Sequence, residues 1–365
     1  DMYSGDSIHI ENLSLLDLDE KEFKNNKVEY GDIFFTRSSL VKEGIAYSNV
    51  NLSDRNDITF DGHLIRMQPC KATTNPVFLA CLFKTPSARE QFILGGKTTT
   101  MTTIGQSDIA TVALSLPCKQ EQTKIGTIFQ NLNTLINQHQ QKHDKLSNIK
   151  NAMLEKMFPK QGETVPEIRF RGFSGKWVKV QFKSIAGVRR GLTYKPDDIA
   201  DNGIIVLRSS NINVDRFELR EDDVQVNKNA VNINCVKNGD ILITSANGSS
   251  NLVGKHVVVC DLTVDAVHGG FMLLAETDVP HFLNASMNTY WYDRFRSMNI
   301  SGGNGAIGNI KGSALEEEYL YIPKKEEQIA IGNYFQKLDA LINQHQQQIS
   351  KLNNIKQACL RKMFV

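Results

Sequence analysis

The 365 residues carry 42 basic and 40 acidic side chains, a formal net charge of +2, and 41% of them are hydrophobic. That apolar share is ample for packed cores and excludes a disordered chain. The near-neutral balance says little: a free-standing, nonspecific nucleic-acid binder is usually more basic, and a sequence-specific one that shares its DNA contacts with partners need not be. The length predicts two to three domains.

No two of the six cysteines form a CxxC pair. Cys118 and Cys359 fall inside a repeated block whose other copy places Lys324 and Met153 there. This is neither a disulfide framework nor a zinc ligand set, so a reducing cytoplasm is expected. The chain shows neither a membrane-length apolar run nor a signal peptide. It opens on Asp1, which suggests a processed or trimmed start.

Residues 1–116 read as a first mixed domain. Gly31-Asp32-Ile33-Phe34-Phe35-Thr36 is a short apolar strand, followed by the turn Thr36-Arg37-Ser38-Ser39. Gly62-His63-Leu64 marks a second turn. Gly95-Gly96-Lys97-Thr98 approaches a phosphate-binding loop, but Gln91 stands where Walker A requires glycine, so no ATPase is read here. Lys97, Thr98 and Thr100 instead make a polar loop rich in hydrogen-bond donors. Ile104-x-x-Ser107-x-Ile109 then leads to Pro117.

Residues 117–160 are predicted to be a long helix, and the block recurs. Residues 117–158 and 323–364 align without a gap at a constant offset of 206, with 26 of 42 positions identical. With Ile125 at heptad position a, the a and d positions are Ile125, Ile128, Leu132, Leu135, His139, Lys142, Leu146, Ile149, Met153 and Lys156. The second copy gives Ile331, Tyr334, Leu338, Leu341, His345, Gln348, Leu352, Ile355, Cys359 and Lys362. Phe129, Ile136 and Met157 flank the first stripe; Phe335, Ile342, Ile349 and Met363 flank the second. A sustained 3.5-residue stripe predicts a coiled coil, with a polar middle turn at the two histidines that fixes register. About 40 residues make a rod of roughly 60 Å. A proline precedes each helix and carboxylates fill its first turn, as the positive end of the dipole favours.

Residues 161–322 are predicted to form a second mixed domain, opening on Pro166–Trp177. Apolar runs at 204–207, 241–244, 257–259 and 271–274 read as strands. Gly31–Thr36 matches Gly239–Thr244, Gly62-His63-Leu64 matches Gly269-Gly270-Phe271, and Ile104–Ile109 matches Ile310–Leu315. The second domain needs about twice as many residues to reach its Gly-Asp strand, so the opening of the first is expected to be missing or replaced. Gly303-x-Gly305-x-x-Gly308 fits a dinucleotide pattern, but no apolar strand precedes it, so it reads as a flexible loop. Basic, amide and hydroxyl side chains cluster at turns: Arg189, Arg190, Lys195, Arg208, Ser209, Asn211, Thr244, Ser245, Asn247, Lys255 and Asn304. Arginine reads guanine, asparagine reads adenine, and lysine, serine and threonine hold phosphates.

The duplicated Pro-x-x-x-Glu-Gln-x-x-Ile-Gly helices ending in Lys-Met-Phe, the Pro166–Trp177 linker and the paired Gly-Asp-Ile strands resemble the specificity subunit of Type I restriction–modification systems. The resemblance implies an α+β fold. Two target-recognition domains, 1–116 and 161–322, would be separated by two antiparallel spacer helices, 117–160 and 323–365, in a pseudo-two-fold arrangement. It further implies a non-catalytic, cytoplasmic DNA-recognition protein of bacterial or archaeal origin. Its partners would be double-stranded DNA with a bipartite target, two methyltransferase subunits docked on the helices, and restriction subunits. S-adenosylmethionine, ATP and magnesium would belong to those partners, and this chain would hold no cofactor or metal. The competing reading is a coiled-coil scaffold with two ligand-binding β-rich domains and no DNA role.

Overall fold

The computed structural model describes residues 2, 5, 7–11, 13–213, 216–300 and 308–364. Its contacts divide the chain into two units, residues 1–143 with 344–365 and residues 144–343, so that each long helix contributes to both. Among the described residues no helix is long and apolar enough to cross a membrane.

Unit 1 is built on an antiparallel sheet whose central strand, Ile33–Thr36, is flanked by Ser48–Val50 and Leu64–Met67. All four residues of the central strand are buried. Two short helices follow, Pro76–Leu82 and Pro86–Gly95. Each has proline in its first turn and a capping side chain, Asn75 or Thr85, that accepts a backbone N–H. They close the core through the rings of Phe35, Phe83 and Phe92, whose centroids lie 5.2 to 5.7 Å apart.

Unit 2 repeats this plan. Its central strand, Ile241–Thr244, lies between His256–Val258 and Met272–Glu276, and Gly187–Arg190 adds a fourth strand. The helices Pro280–Ser286 and Tyr290–Asn299 follow. A second sheet has Ile199–Leu207 at its centre, antiparallel to Gln225–Val226 and parallel to Ala266–His268. This sheet accounts for the longer approach to the Gly-Asp strand.

The register corrects one correspondence. Thr36 pairs with Leu64, and Thr244 pairs with Met272. Gly62-His63 therefore matches Gly270-Phe271, one position on from the match read in the sequence. The tight return after each central strand is also shared. Ala46 N donates to Thr36 O at 2.9 Å with φ +46°, and Gly254 N donates to Thr244 O at 2.8 Å with φ +81°. Unit 1 makes with alanine a left-handed turn that glycine adopts more readily.

The long helices run over Lys119–Lys156 and Lys325–Lys362. Within each unit, the N-terminal part of one packs antiparallel on the C-terminal part of the other. In unit 1, Ile125 and Phe129 share a core with Leu360. In unit 2, Leu154, Met157 and Phe158 meet Ile331 and Phe335, and Lys150 Nζ lies 2.8 Å from Asp339 Oδ1. The predicted 3.5-residue period is present, but its phase differs. Ile125, Phe129, Leu132, Ile136, His139 and Leu146 face inward, with Ile331, Phe335, Leu338, Ile342, His345 and Leu352 as their equivalents. Ile125 thus occupies d rather than a. Leu135 and Leu341, predicted at the seam, are each 43% exposed, and Ile128 and Ile355 also point outward. The phase follows the larger payload: seating Phe129 and Phe335 in the interior removes more apolar surface from water than seating Leu135 and Leu341. At the polar layer, His139 Nδ1 and His345 Nδ1 lie 2.9 Å apart in unit 1.

Two features of the repeated motif acquire physical reasons. Gln122 Nε2 donates to Pro117 O at 2.9 Å, and Gln328 Nε2 donates to Pro323 O at 2.8 Å, tying each helix start to its proline. A Cβ on Gly126 would sit 2.8 Å from Asn75 Oδ1 and 3.3 Å from Phe78 N; one on Gly332 would sit 2.8 Å from Phe282 N. In both units, glycine lets the long helix approach the start of the short helix closely.

Candidate DNA-recognition surface

In unit 1 the chain leaves the central strand at Arg37 and forms a small antiparallel sheet. Ser38–Ser39 pairs with Thr102–Thr103, which pairs with Lys97–Thr98. The turn and the polar loop, 60 residues apart in sequence, are thereby brought side by side. Arg37, Lys97, Thr98 and Thr100 are exposed, and Ser38 and Ser39 half-buried. Lys97 Nζ lies 3.9 Å from Asp108 Oδ1 and keeps most of its surface in water. Thr36 is withdrawn from this face. It is buried, and its Oγ1 donates to Gly44 O and accepts from Tyr47 N, which shapes the turn.

Unit 2 makes the equivalent pairing with Ala246–Asn247 and Gly308–Asn309. Here several predicted contact residues are structural. Asn211 is fully buried; its Oδ1 accepts from Arg208 N at 2.7 Å, and its Nδ2 donates to Glu218 O and Asp223 Oδ2. Thr244 lies inside the sheet core, and Ser245 Oγ turns inward to Ile310 O and Asn309 Oδ1, both at 3.3 Å. Arg189 is engaged internally, with Nη2 3.0 Å from Glu276 Oε1 and Nη1 donating to Asn234 O. Buried polar groups are costly unless paired, and Asn211 and Ser245, residue types that suit DNA, are here used to pair groups of the fold.

Arg208, Ser209 and Asn247 do come together. They line a cleft of about 610 Å³ with Leu192, Tyr194, Ile199, Gly269, Gly270 and Phe271. Asn247 Nδ2 donates to Ser209 Oγ at 3.2 Å, while Arg208 Nε is buried without a hydrogen-bond partner. Lys195 is exposed beside the cleft residue Tyr194, and Arg190 is exposed on its strand. Lys255 lines a different pocket, with His256 and Arg296. Asn304, with most of the Gly303–Gly308 motif, lies outside the described residues. Sequence reasoning missed Tyr194 and Phe271. The signal was present: an aromatic residue placed after Gly269-Gly270 and directly before a buried strand.

The cleft is anchored by His268, which is fully buried on the Ala266–His268 strand just before those glycines. Its Nε2 lies 3.3 Å from Arg189 O, and its own carbonyl accepts from Leu192 N at 2.7 Å. Burial is the main cause that lowers the imidazole pKa from 6.5 to about 4. A depressed histidine pKa stabilises the fold fully above about pH 6.5 and loses that contribution as pH falls toward 4. Over that window wild type is expected to lose about 3 kcal/mol more stability than His268→Gln, read as the pH dependence of urea midpoints.

Among the described residues no group of three or more His, Cys, Asp or Glu is placed to hold a metal ion. What each unit's surface offers is hydrogen-bond donors and arginine, with amides and aromatic rings in the cleft of unit 2, a set suited to phosphates and base edges.

Residues 174–354 match the family model described as Type I restriction modification DNA specificity domain. No curated protein is significantly similar in sequence to the chain. Among solved structures, the S subunit of a Type I restriction–modification system from M. genitalium matches with a TM-score of 0.57 and 16% identity, over 93% of this chain and 84% of that one. A chain from a type I R-M system studied for complex assembly and conformational transition matches with a TM-score of 0.51 and 16% identity, over 93% and 82%. At this identity the two structures establish a shared mixed α+β fold. The family match makes this a DNA sequence-specificity protein. Residues 174–354 of the chain are a Type I restriction–modification DNA-specificity domain.

Proposed function

We propose that each unit reads one half of a bipartite DNA target and that the paired long helices set the unread spacer between the halves. One observation carries this reading. Both units place a short β-pairing directly after the central strand, at equivalent register, but with different side chains: Ser38–Ser39 against Thr102–Thr103, and Ala246–Asn247 against Gly308–Asn309. A shared frame with divergent polar faces suits two readers of different sequence.

Under this reading, two methyltransferase subunits dock on the repeated helices. The outward-facing leucines Leu135 and Leu341 occupy equivalent positions and offer the same apolar contact to two copies of one partner. Those subunits bring S-adenosylmethionine and flip the target base, and restriction subunits bring the ATP- and magnesium-dependent cleavage. This chain supplies base contacts and register.

The test is a gel shift of the full chain with its methyltransferase partner on a random duplex pool. Retention of one bipartite sequence is expected, weakening steeply between 50 and 200 mM salt as phosphate contacts are screened. Failure of the pair to retain any duplex at low salt would instead favour the scaffold reading.

A further inference from the structure

We infer that one backbone position, Phe271 in unit 2 and His63 in unit 1, is a base-reading position, and that Phe271 reads the 5-methyl group of a thymine. The inference rests on the DNA-specificity reading above and names the chemistry of that surface more closely.

The backbone holds the two residues alike. Phe271 O accepts from Ser245 N at 2.9 Å, and His63 O accepts from Arg37 N at 3.0 Å, each immediately before the strand that pairs with the central one. Both side chains are left in water, and Phe271 is 67% exposed. Burying such a ring would stabilise the fold by about 1.5–3 kcal/mol, which unit 2 forgoes here. The ring does not stand alone: Ile199, more than half exposed, and Tyr194 line the same cleft. Beside them lie Arg208, with its unsatisfied Nε, and the Asn247–Ser209 pair, so the apolar lip adjoins donors suited to phosphates and purine edges.

A phenyl ring can neither donate nor accept a conventional hydrogen bond. The thymine methyl is the apolar group among the base edges displayed in the major groove. Set against guanine, adenine or cytosine, the ring would desolvate donors and acceptors without replacing their partners. His63 carries ring nitrogens at the same position and suits a polar base edge instead. Two units reading different half-sites are expected to differ at such a position.

The test uses the full chain with its methyltransferase partner and a duplex of the sequence methylated in the host. Thymines are replaced one at a time by deoxyuridine, which removes the methyl group alone. One replacement is expected to weaken wild-type binding roughly fourfold, the equivalent of one buried methyl group. Phe271→Ala should bind with no sensitivity to that uridine, and Phe271→Leu, which keeps an apolar contact, should retain it. Wild-type binding indifferent to every replacement, or a Phe271→Ala variant as sensitive as wild type, would overturn the inference. A wild-type complex that binds no duplex would overturn the DNA-specificity reading and this inference with it.

Discussion

Replacing residues 178–322 with the matching segment of another family member is expected to change one half of the methylated sequence completely and leave the other half unaltered. The boundaries follow from packing. Phe158 and Trp177, 5.8 Å apart, hold the linker to the long helices of unit 2, together with Ile331, Phe335 and Leu338. A graft starting after Trp177 and ending before Pro323 keeps that platform and exchanges both sheets and the cleft. The incoming segment must also bring an aromatic residue at position 282, because Phe282 packs on Phe158 and Trp177. Methylome sequencing of a host carrying the chimera reads the result, and a change in both halves would refute the two-reader arrangement.

The largest effect on stability is expected from Glu327→Ala, about 3–5 kcal/mol, measured by urea unfolding. Glu327 is 1% exposed and pairs bidentately with Arg169 Nε and Nη2, at 2.6 and 2.7 Å. Arg169 also donates to Gly175 O and Ser174 O, so the pair fastens the 166–177 linker to the start of the second long helix. Removing the carboxylate strands a largely buried guanidinium. Replacing both partners with methionine is expected to recover most of the loss, because the stranded charge goes with it. Glu121, the equivalent residue of the first helix, is exposed, and its alanine variant should change stability by less than about 0.5 kcal/mol. Equal losses at both positions would show that the pair is not the cause.

This contrast shows where the repeat misleads. Glu121 and Glu327 are identical in sequence and sit in identical motifs, yet one is solvated and the other fastens a linker. The difference lies in Arg169, 158 residues from its partner, and no local pattern announces it. The candidate surface divides in the same way. The Arg37 turn and the Lys97–Thr100 loop lie side by side and exposed, whereas Thr36, Asn211, Thr244 and Ser245 turn inward. Turns need side-chain donors and acceptors as much as DNA does, so residue type could not tell the two uses apart.

By itself the sequence determined the two long helices, their gap-free repetition, the 3.5-residue period and the paired Gly-Asp-Ile strands. These are local and periodic signals, and each is written in consecutive residues. Only the tertiary structure decided the phase of the helix seam, because burying Phe129 and Phe335 outweighs burying Leu135 and Leu341, a comparison made against neighbours far along the chain. It also decided that Gly62-His63 stands opposite Gly270-Phe271. Strand register is set by pairing across a sheet, and a slip of one residue exchanges an exposed aromatic ring for a glycine.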